Sequence, residues 1–290
     1  MVDHTRRRPT RGVGDERPDR GPDRQTDCRP IGVFDSGVGG LTVMRALIDL
    51  LPDESFVYFG DTARTPYGPK PADDVLKFSI EISELLCEHG VKLLVNACNT
   101  STAVALDPLR DRLDVDIVGV IEPGIRAARR ATSSGRVGVI GTVGTIGSRA
   151  YERVAELIAP ELELVSAACP GFVEFVEAGD LESFQVHVLA QRLLAPVIAG
   201  AVDTLILGCT HYPLLARTIS DVMGPDVVLV SSADETAFAV RALLDESRAA
   251  ASRGAAATHT FLTSGDTERF AELGVRFLGP EATTVQGWQW

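Results

Sequence analysis

The chain has no apolar run near the roughly 18 residues that a bilayer-spanning helix needs, which excludes membrane insertion through helices. It has no C-x-x-C pair, and its five cysteines, Cys28, Cys87, Cys98, Cys169 and Cys209, are odd in number and widely scattered, which excludes a disulfide framework. No apolar segment of a secretory signal follows Met1, so a reducing cytoplasm is the expected compartment. Basic residues are outnumbered: 28 Lys and Arg face 40 Asp and Glu, a formal net charge of −12. Residues 1–30 hold eight Arg against six acidic residues, so residues 31–290 carry 20 basic against 34 acidic, or −14. That balance argues against a general nucleic-acid surface. It also repels anions at long range, so a carboxylate ligand has to be held by local donors. Lysine is scarce, three against 25 Arg, a bias we read as genome composition rather than function.

What is present is a soluble globular pattern, 45% apolar with 27 glycines. Residues 1–30 are rich in Arg, Asp, Pro and Gly and too poor in large apolar side chains to offset chain entropy, so a disordered leader is expected there. Its Arg6-Arg7-Arg8 run reads as solvated. From Ile31 strands and helices alternate. Strands are expected at Ile31–Phe34, Phe56–Phe59, Val91–Val95 and Ile117–Ile121, with helices between them: Leu41–Leu51 stopped at Pro52, a stripe through Val75, Phe78, Ile82, Leu85 and Leu86 ending at Gly90, and one disturbed at Pro108. Pro123 opens a further helix.

The order then recurs. Val137–Ile140 and its glycine loop echo Ile31–Phe34 at an offset of 106, Leu162–Val165 echoes Phe56–Phe59 at about 106, Cys209 echoes Cys98 at 111, and Val227–Val230 echoes Ile117–Val120 at 110. Four landmarks at nearly one offset indicate an internal duplication. The expected fold is therefore α/β, two pseudo-symmetric doubly wound α/β domains facing each other across a cleft. Thr258–Leu262 and the helix Thr267–Leu273 have no echo; joined through the helix Glu235–Leu244, they make the first domain discontinuous, 31–121 plus 233–290, with the second spanning 122–232. The crossings, and a hinge, fall near Ile121-Glu122 and Ser231-Ser232.

Cys98 and Cys209 each stand just beyond an apolar run and are followed by small polar residues, Asn99-Thr100 and Thr210-His211. In open parallel sheets that place, the carboxyl end of a buried strand, is where ligands bind. Cys28, Cys87 and Cys169 read as inert. Three chemistries could use the pair. A thiol hydrolase needs a single cysteine and leaves the other unused. A zinc site from Cys98, Cys209, His211 and Asp35 lacks any usual ligand spacing. The third sets the thiols on opposite faces of one carbon, a thiolate removing a proton while the opposing thiol delivers one, which inverts a stereocentre. A thiol pKa of about 8.5 makes both forms usable. Asp35 and His211 then exchange protons with their neighbouring thiols, or serve as an Asx-turn and a packed loop histidine. Asp35-Ser36-Gly37-Val38-Gly39-Gly40 lacks both the G-x-G-x-x-G spacing and the Walker lysine, yet a glycine loop entering a helix offers backbone N–H groups to a small anion. Tyr67 and Gly68, with the hydroxyls of Ser36, Thr100 and Thr210, extend these neutral donors.

Ile31-Gly-Val-Phe-Asp-Ser-Gly-Val-Gly-Gly-Leu-Thr42, Gly60-Asp-Thr-Ala-Arg64 with Pro66-Tyr-Gly68, Ala97-Cys-Asn-Thr100 and Leu207-Gly-Cys-Thr-His-Tyr-Pro213 together resemble the signature blocks of the glutamate racemases of the Asp/Glu racemase superfamily. The resemblance runs from about Ile31 to Phe277 and implies a cofactor-independent interconversion of L- and D-glutamate that supplies D-glutamate for peptidoglycan, without pyridoxal phosphate or metal. By position it makes Cys98 and Cys209 the catalytic bases, Asp35 and His211 their assistants, and Ser36, Tyr67, Gly68, Asn99, Thr100 and Thr210 substrate holders, with Asp35 and His211 in that shell too. Glu177 falls where relatives carry an acidic residue near the second thiol. Thr142 and Thr145 match a threonine-bearing loop that binds substrate or simply turns. The family pattern further implies a homodimer, and some relatives are said to bind DNA gyrase. The alternatives are an aspartate or other amino-acid racemase of the same superfamily, or a gyrase-binding protein with a weak racemase site.

Overall fold

A computed structural model describes residues 27–290; the expected leader lies in large part outside the described residues. The first sheet grows from β1 (Ile31–Asp35), α1 (Leu41–Leu50), β2 (Phe56–Gly60), α2 (Ala72–Glu88), β3 (Leu93–Asn96), α3 (Asn99–Arg112) and β4 (Ile117–Gly119). After α4 (Ile121–Ala131) the second sheet follows: β5 (Arg136–Gly141), α5 (Val143–Gly147), α6 (Ala150–Ile158), β6 (Glu163–Ala168), α7 (Phe172–Ala178), α8 (Phe184–Ala199), β7 (Thr204–Gly208), α9 (Ala216–Met223) and β8 (Val228–Val230). The chain then returns through α10 (Ala233–Ser247), β9 (His259–Thr263), α11 (Thr267–Phe277) and β10 (Val285–Gly287).

All strand pairs are parallel. The orders are β10-β9-β2-β1-β3-β4 and β6-β5-β7-β8, so β2-β1-β3-β4 repeats as β6-β5-β7-β8. Residues of β1, β2 and β3 are buried on both faces, the mark of a doubly covered parallel strand. On one face of the first sheet Val33, Tyr58 and Val95 pack with α1, α10 and α11. On the other, Phe34, Phe59 and Leu94 meet Ile82, Leu86 and Leu109 of α2 and α3. The second sheet is covered likewise, Leu205 and Leu207 by α8 and Val139 and Ile206 by α4 and α6.

The duplication extends to single contacts. A Cβ on Gly32 would meet Leu94 at 2.7 Å, then Val91 and Leu86; one on Gly138 would meet Leu205 at 2.7 Å, then Val202 and Val197, the same three places 111 residues on. The last helix of each half crosses over: α4 leaves β4 to pack on β7 and β8, and α10 leaves β8 to pack on α1.

Two features depart from the pattern read in the sequence. Helix α3 continues through Pro108 to Arg112; Pro108 is exposed while Ala105 and Leu109 stay buried, so the ring sits on the outer side of the helix and the inner face is intact. β10 adds a sixth strand that its three residues, Val-Gln-Gly, were too short to announce. Where α10 ends, a buried ion pair fastens the chain: Lys92 Nζ lies 2.7 Å from Glu54 Oε2 and donates to the carbonyls of Asp27 and Ala249, while Glu54 Oε1 accepts from the amide of Ala251.

Candidate active site

Val95 of β3 and Ile206 of β7 hold the same register place, opposite Val33 and Val139, and each cysteine follows three residues later at the strand's carboxyl end. Cys98 caps α3, its Sγ accepting from the amide of Ser101 at 3.5 Å and donating to Ser36 Oγ at 3.7 Å. Cys209 ends its strand against the amides of His211 and Tyr212. Both thiols are buried, and both border one small cavity of about 20 Å3 together with Ser36, Tyr67, Gly68, Asn99, Thr100, Thr142, Thr210 and His211. Thr65, Pro66 and Val173 complete the wall.

Burial pushes the Cys98 thiol up to about 12, the charge of Asp35 adding to it and the Ser101 amide and Ser36 opposing it. Cys209 is pushed up as well, again by burial first. The helix terminus at Cys98 favours a thiolate, but loss of solvation outweighs it here. Asp35 is wholly buried. Its Oδ2 accepts from the Gly37 amide at 2.9 Å, the Asx-turn, and its Oδ1 from Thr210 Oγ1 of the other half at 3.4 Å. Burial raises its pKa, with His211 and the Gly37 and Gly40 amides opposing.

The halves meet closely at this loop. A Cβ on Gly39 would lie 2.4 Å from both His211 Nδ1 and Thr210 Oγ1, so only glycine lets the second half approach. His211 Nε2 lies 3.2 Å from Glu177 Oε1, which brings the acidic residue of α7 to the histidine. Asn99 Oδ1 accepts from Tyr151 Oη at 2.7 Å, and Thr100 Oγ1 lies 2.9 and 3.1 Å from the hydroxyls of Thr142 and Thr145. Thr145 is buried behind Thr142, which faces the cavity. Tyr67 borders the cavity, but its hydroxyl is committed to Asp61. Tyr58 and Tyr151 were not singled out in the sequence; one donates to the Gly37 carbonyl at 2.9 Å and the other reaches across the halves. Neither carries a local signal, since a tyrosine in a strand or on a helical stripe reads as core.

Residues 31–257 match the Asp/Glu/Hydantoin racemase family. The chain belongs to this family. A glutamate racemase of Parafrankia sp. is 54% identical over 263 residues, 88% of this chain and 93% of that one. Among solved structures, a glutamate racemase isoform from Bacillus anthracis superposes with a TM-score of 0.86 at 41% identity, covering 90% of this chain and 97% of that one. The glutamate racemase from Francisella tularensis, solved in complex with D-glutamate, gives 0.84 at 32% identity, with 91% and 98% covered. In this chain Cys98 and Cys209 follow matching strands of two sheets that share one topology. Among the described residues no group of three or more His, Cys, Asp or Glu is placed to hold a metal ion, and no helix is long and apolar enough to cross a membrane.

Proposed function

We propose that this chain is a glutamate racemase, an amino-acid isomerase, in which Cys98 and Cys209 act from opposite faces of the α-carbon. The observation that carries the reading is the shared cavity: two thiols at matching strand ends, one from each half of the duplication, border one space. One cysteine, as thiolate, takes the α-proton; the opposing thiol gives its proton to the other face, and the product is the mirror-image amino acid with the two sulfurs' protonation exchanged. A second turnover can then run in reverse without an external redox partner or cofactor. D-glutamate made this way supplies peptidoglycan synthesis.

Because burial holds both thiols in the neutral form, each needs an acceptor to become a thiolate. Asp35 serves Cys98, and His211, backed by Glu177, serves Cys209. The Asp35–Gly40 loop, Asn99, Thr100 and Thr210 with Ser36, Gly68 and Thr142 provide neutral N–H and O–H donors for the zwitterion, as an acidic protein requires. Thr145 supports Thr100 and Thr142 from behind. A cavity of about 20 Å3 has room for little more than one water, so glutamate needs the halves to part before it binds and to close over it afterwards, excluding water from the carbanion-like transition state. We take the lobes as 31–121 plus 233–290 and 122–232, joined at the two crossings. The free state of all five cysteines fits a reducing cytoplasm.

The test is incubation of purified protein with L-Glu, L-Asp or L-Ala in D2O without pyridoxal phosphate, followed by chiral analysis. L-glutamate should become a mixture of enantiomers carrying deuterium at the α-carbon, and Cys98→Ser and Cys209→Ser should each abolish racemisation. Full activity in either variant, or turnover of L-Asp with L-Glu untouched, overturns the reading.

A further inference from the structure

The block Gly60-Asp61-Thr62-Ala63-Arg64 has no part in the mechanism above, yet it leads directly into the cavity wall Thr65–Gly68. Asp61 is wholly buried, and its carboxylate is the acceptor for four donors: Tyr67 Oη, Arg64 Nε at 2.6 Å, Ser264 Oγ at 2.6 Å and Trp290 Nε1 at 3.4 Å. Arg64 also reaches Glu81 through Nη1. Its Nη2 is buried and finds no hydrogen-bond acceptor. Two aromatic faces enclose it instead: the guanidinium carbon lies 4.2 Å from the centre of the Phe78 ring and 4.0 Å from that of Trp290.

Phe78 belongs to α2, beside the loop; Trp290 comes from 226 residues further along the chain. β10 carries it there. That strand pairs with β9, the Trp288 amide continues the ladder to the Thr263 carbonyl at 2.7 Å, and the indole then settles 5.4 Å from Phe59 over Arg64. Trp290 is half exposed, so it is not a core residue whose removal empties a cavity.

We propose that Trp290 and Arg64 are positioning residues for the racemase site: the indole clamps Arg64 against Phe78, Arg64 holds Asp61, and Asp61 holds Tyr67 and hence the cavity wall that includes Gly68. The inference rests on the glutamate racemase reading for its substrate. Gly68 also accepts from the Gly144 amide of the other half at 2.8 Å, so the wall fixed by this stack is one of the surfaces on which the halves close. Without the indole the wall samples other positions, and the apparent substrate affinity drops by the fraction of molecules with the wall in place. The chemical step, set by the two thiols, is unaffected once substrate is bound.

The test compares the wild type with Trp290→Ala and Trp290→Phe in steady-state kinetics for both glutamate enantiomers, thermal melting and limited trypsin digestion. Losing a cation–π contact of this kind should raise KM about three- to fivefold in Trp290→Ala, equally for both enantiomers, with kcat within twofold and the melting midpoint nearly unchanged. Trypsin should cut after Arg64 several-fold faster in that variant, a readout independent of turnover. Trp290→Phe keeps a ring on the guanidinium and gives up only the long 3.4 Å indole contact to Asp61, so it should stay within about twofold of the wild type. Unchanged KM and unchanged cleavage in Trp290→Ala overturn the proposal. So do a fall in kcat accompanied by a large drop in melting midpoint, which marks general destabilisation, and a Trp290→Phe variant as impaired as Trp290→Ala. Wild-type protein that leaves glutamate unchanged overturns the functional reading instead, and the cleavage comparison still judges the clamp.

Discussion

His211 Nε2 and Glu177 Oε1 lie 3.2 Å apart, joining the loop after the second cysteine to α7. The histidine is buried while the carboxylate keeps partial contact with solvent, a geometry that holds the imidazole in place, and in the mechanism proposed above Glu177 backs the proton that His211 would take from Cys209. Glu177→Gln keeps the shape and removes the charge. It should lower kcat for glutamate about tenfold with KM within twofold. Steady-state kinetics in both directions measure this, and an unchanged kcat removes Glu177 from the proton path.

The buried thiols make stability depend on pH on the alkaline side. Cys98, pushed up to about 12, and Cys209, raised too, stay protonated in the folded chain where an unfolded thiol, near 8.5, ionises. The unfolded state then binds fewer protons, so the contribution is complete below about pH 8.5 and is lost as pH rises towards the folded value. Cys98→Ser removes one such group. Between pH 8 and pH 10 it should lose less stability than the wild type, by roughly 1–2 kcal/mol, in urea titrations at each pH. Parallel losses in the two proteins would show that Cys98 ionises normally when folded.

Gly32 and Gly138 are one position of the duplicated unit, each facing a leucine that a Cβ would meet at 2.7 Å. Gly32→Ala and Gly138→Ala should each destabilise by about 1–3 kcal/mol through overpacking. Chemical denaturation checks this; a neutral effect at both sites would mean that Leu94 and Leu205 move aside freely.

Lys92 and Glu54 form a pair buried almost completely, with the lysine also donating to two carbonyls. Lys92→Met leaves the Glu54 carboxylate without its cation, and a loss of about 3–5 kcal/mol is expected. Glu54→Gln combined with Lys92→Met should recover part of it, because the stranded charge is gone. The measurement is a double-mutant cycle by urea unfolding, and strictly additive losses would deny the coupling.

Much of this molecule follows from local pattern. Apolar runs such as Leu93-Leu94-Val95 and Leu205-Ile206-Leu207 mark buried strands because a parallel strand covered on both faces has no polar side to show. The repeat of those runs gave the architecture away and placed a cysteine at the end of a strand in each half, since a duplicated α/β unit sets equivalent residues at equivalent strand ends. The small polar residues after each cysteine, Asn99-Thr100 and Thr210-His211, could likewise be read as a site before any coordinates. Tertiary structure alone decided which distant groups meet: Tyr151 on Asn99 and Thr210 on Asp35 across the halves, and Glu177 on His211 and Trp290 on Arg64 within one half. These partners stand 34 to 226 residues apart, and hydrophobic periodicity reports only which face a residue turns to its own element. How the sheets pack, and which hydroxyl or ring then falls within reach of another, depends on the folded whole.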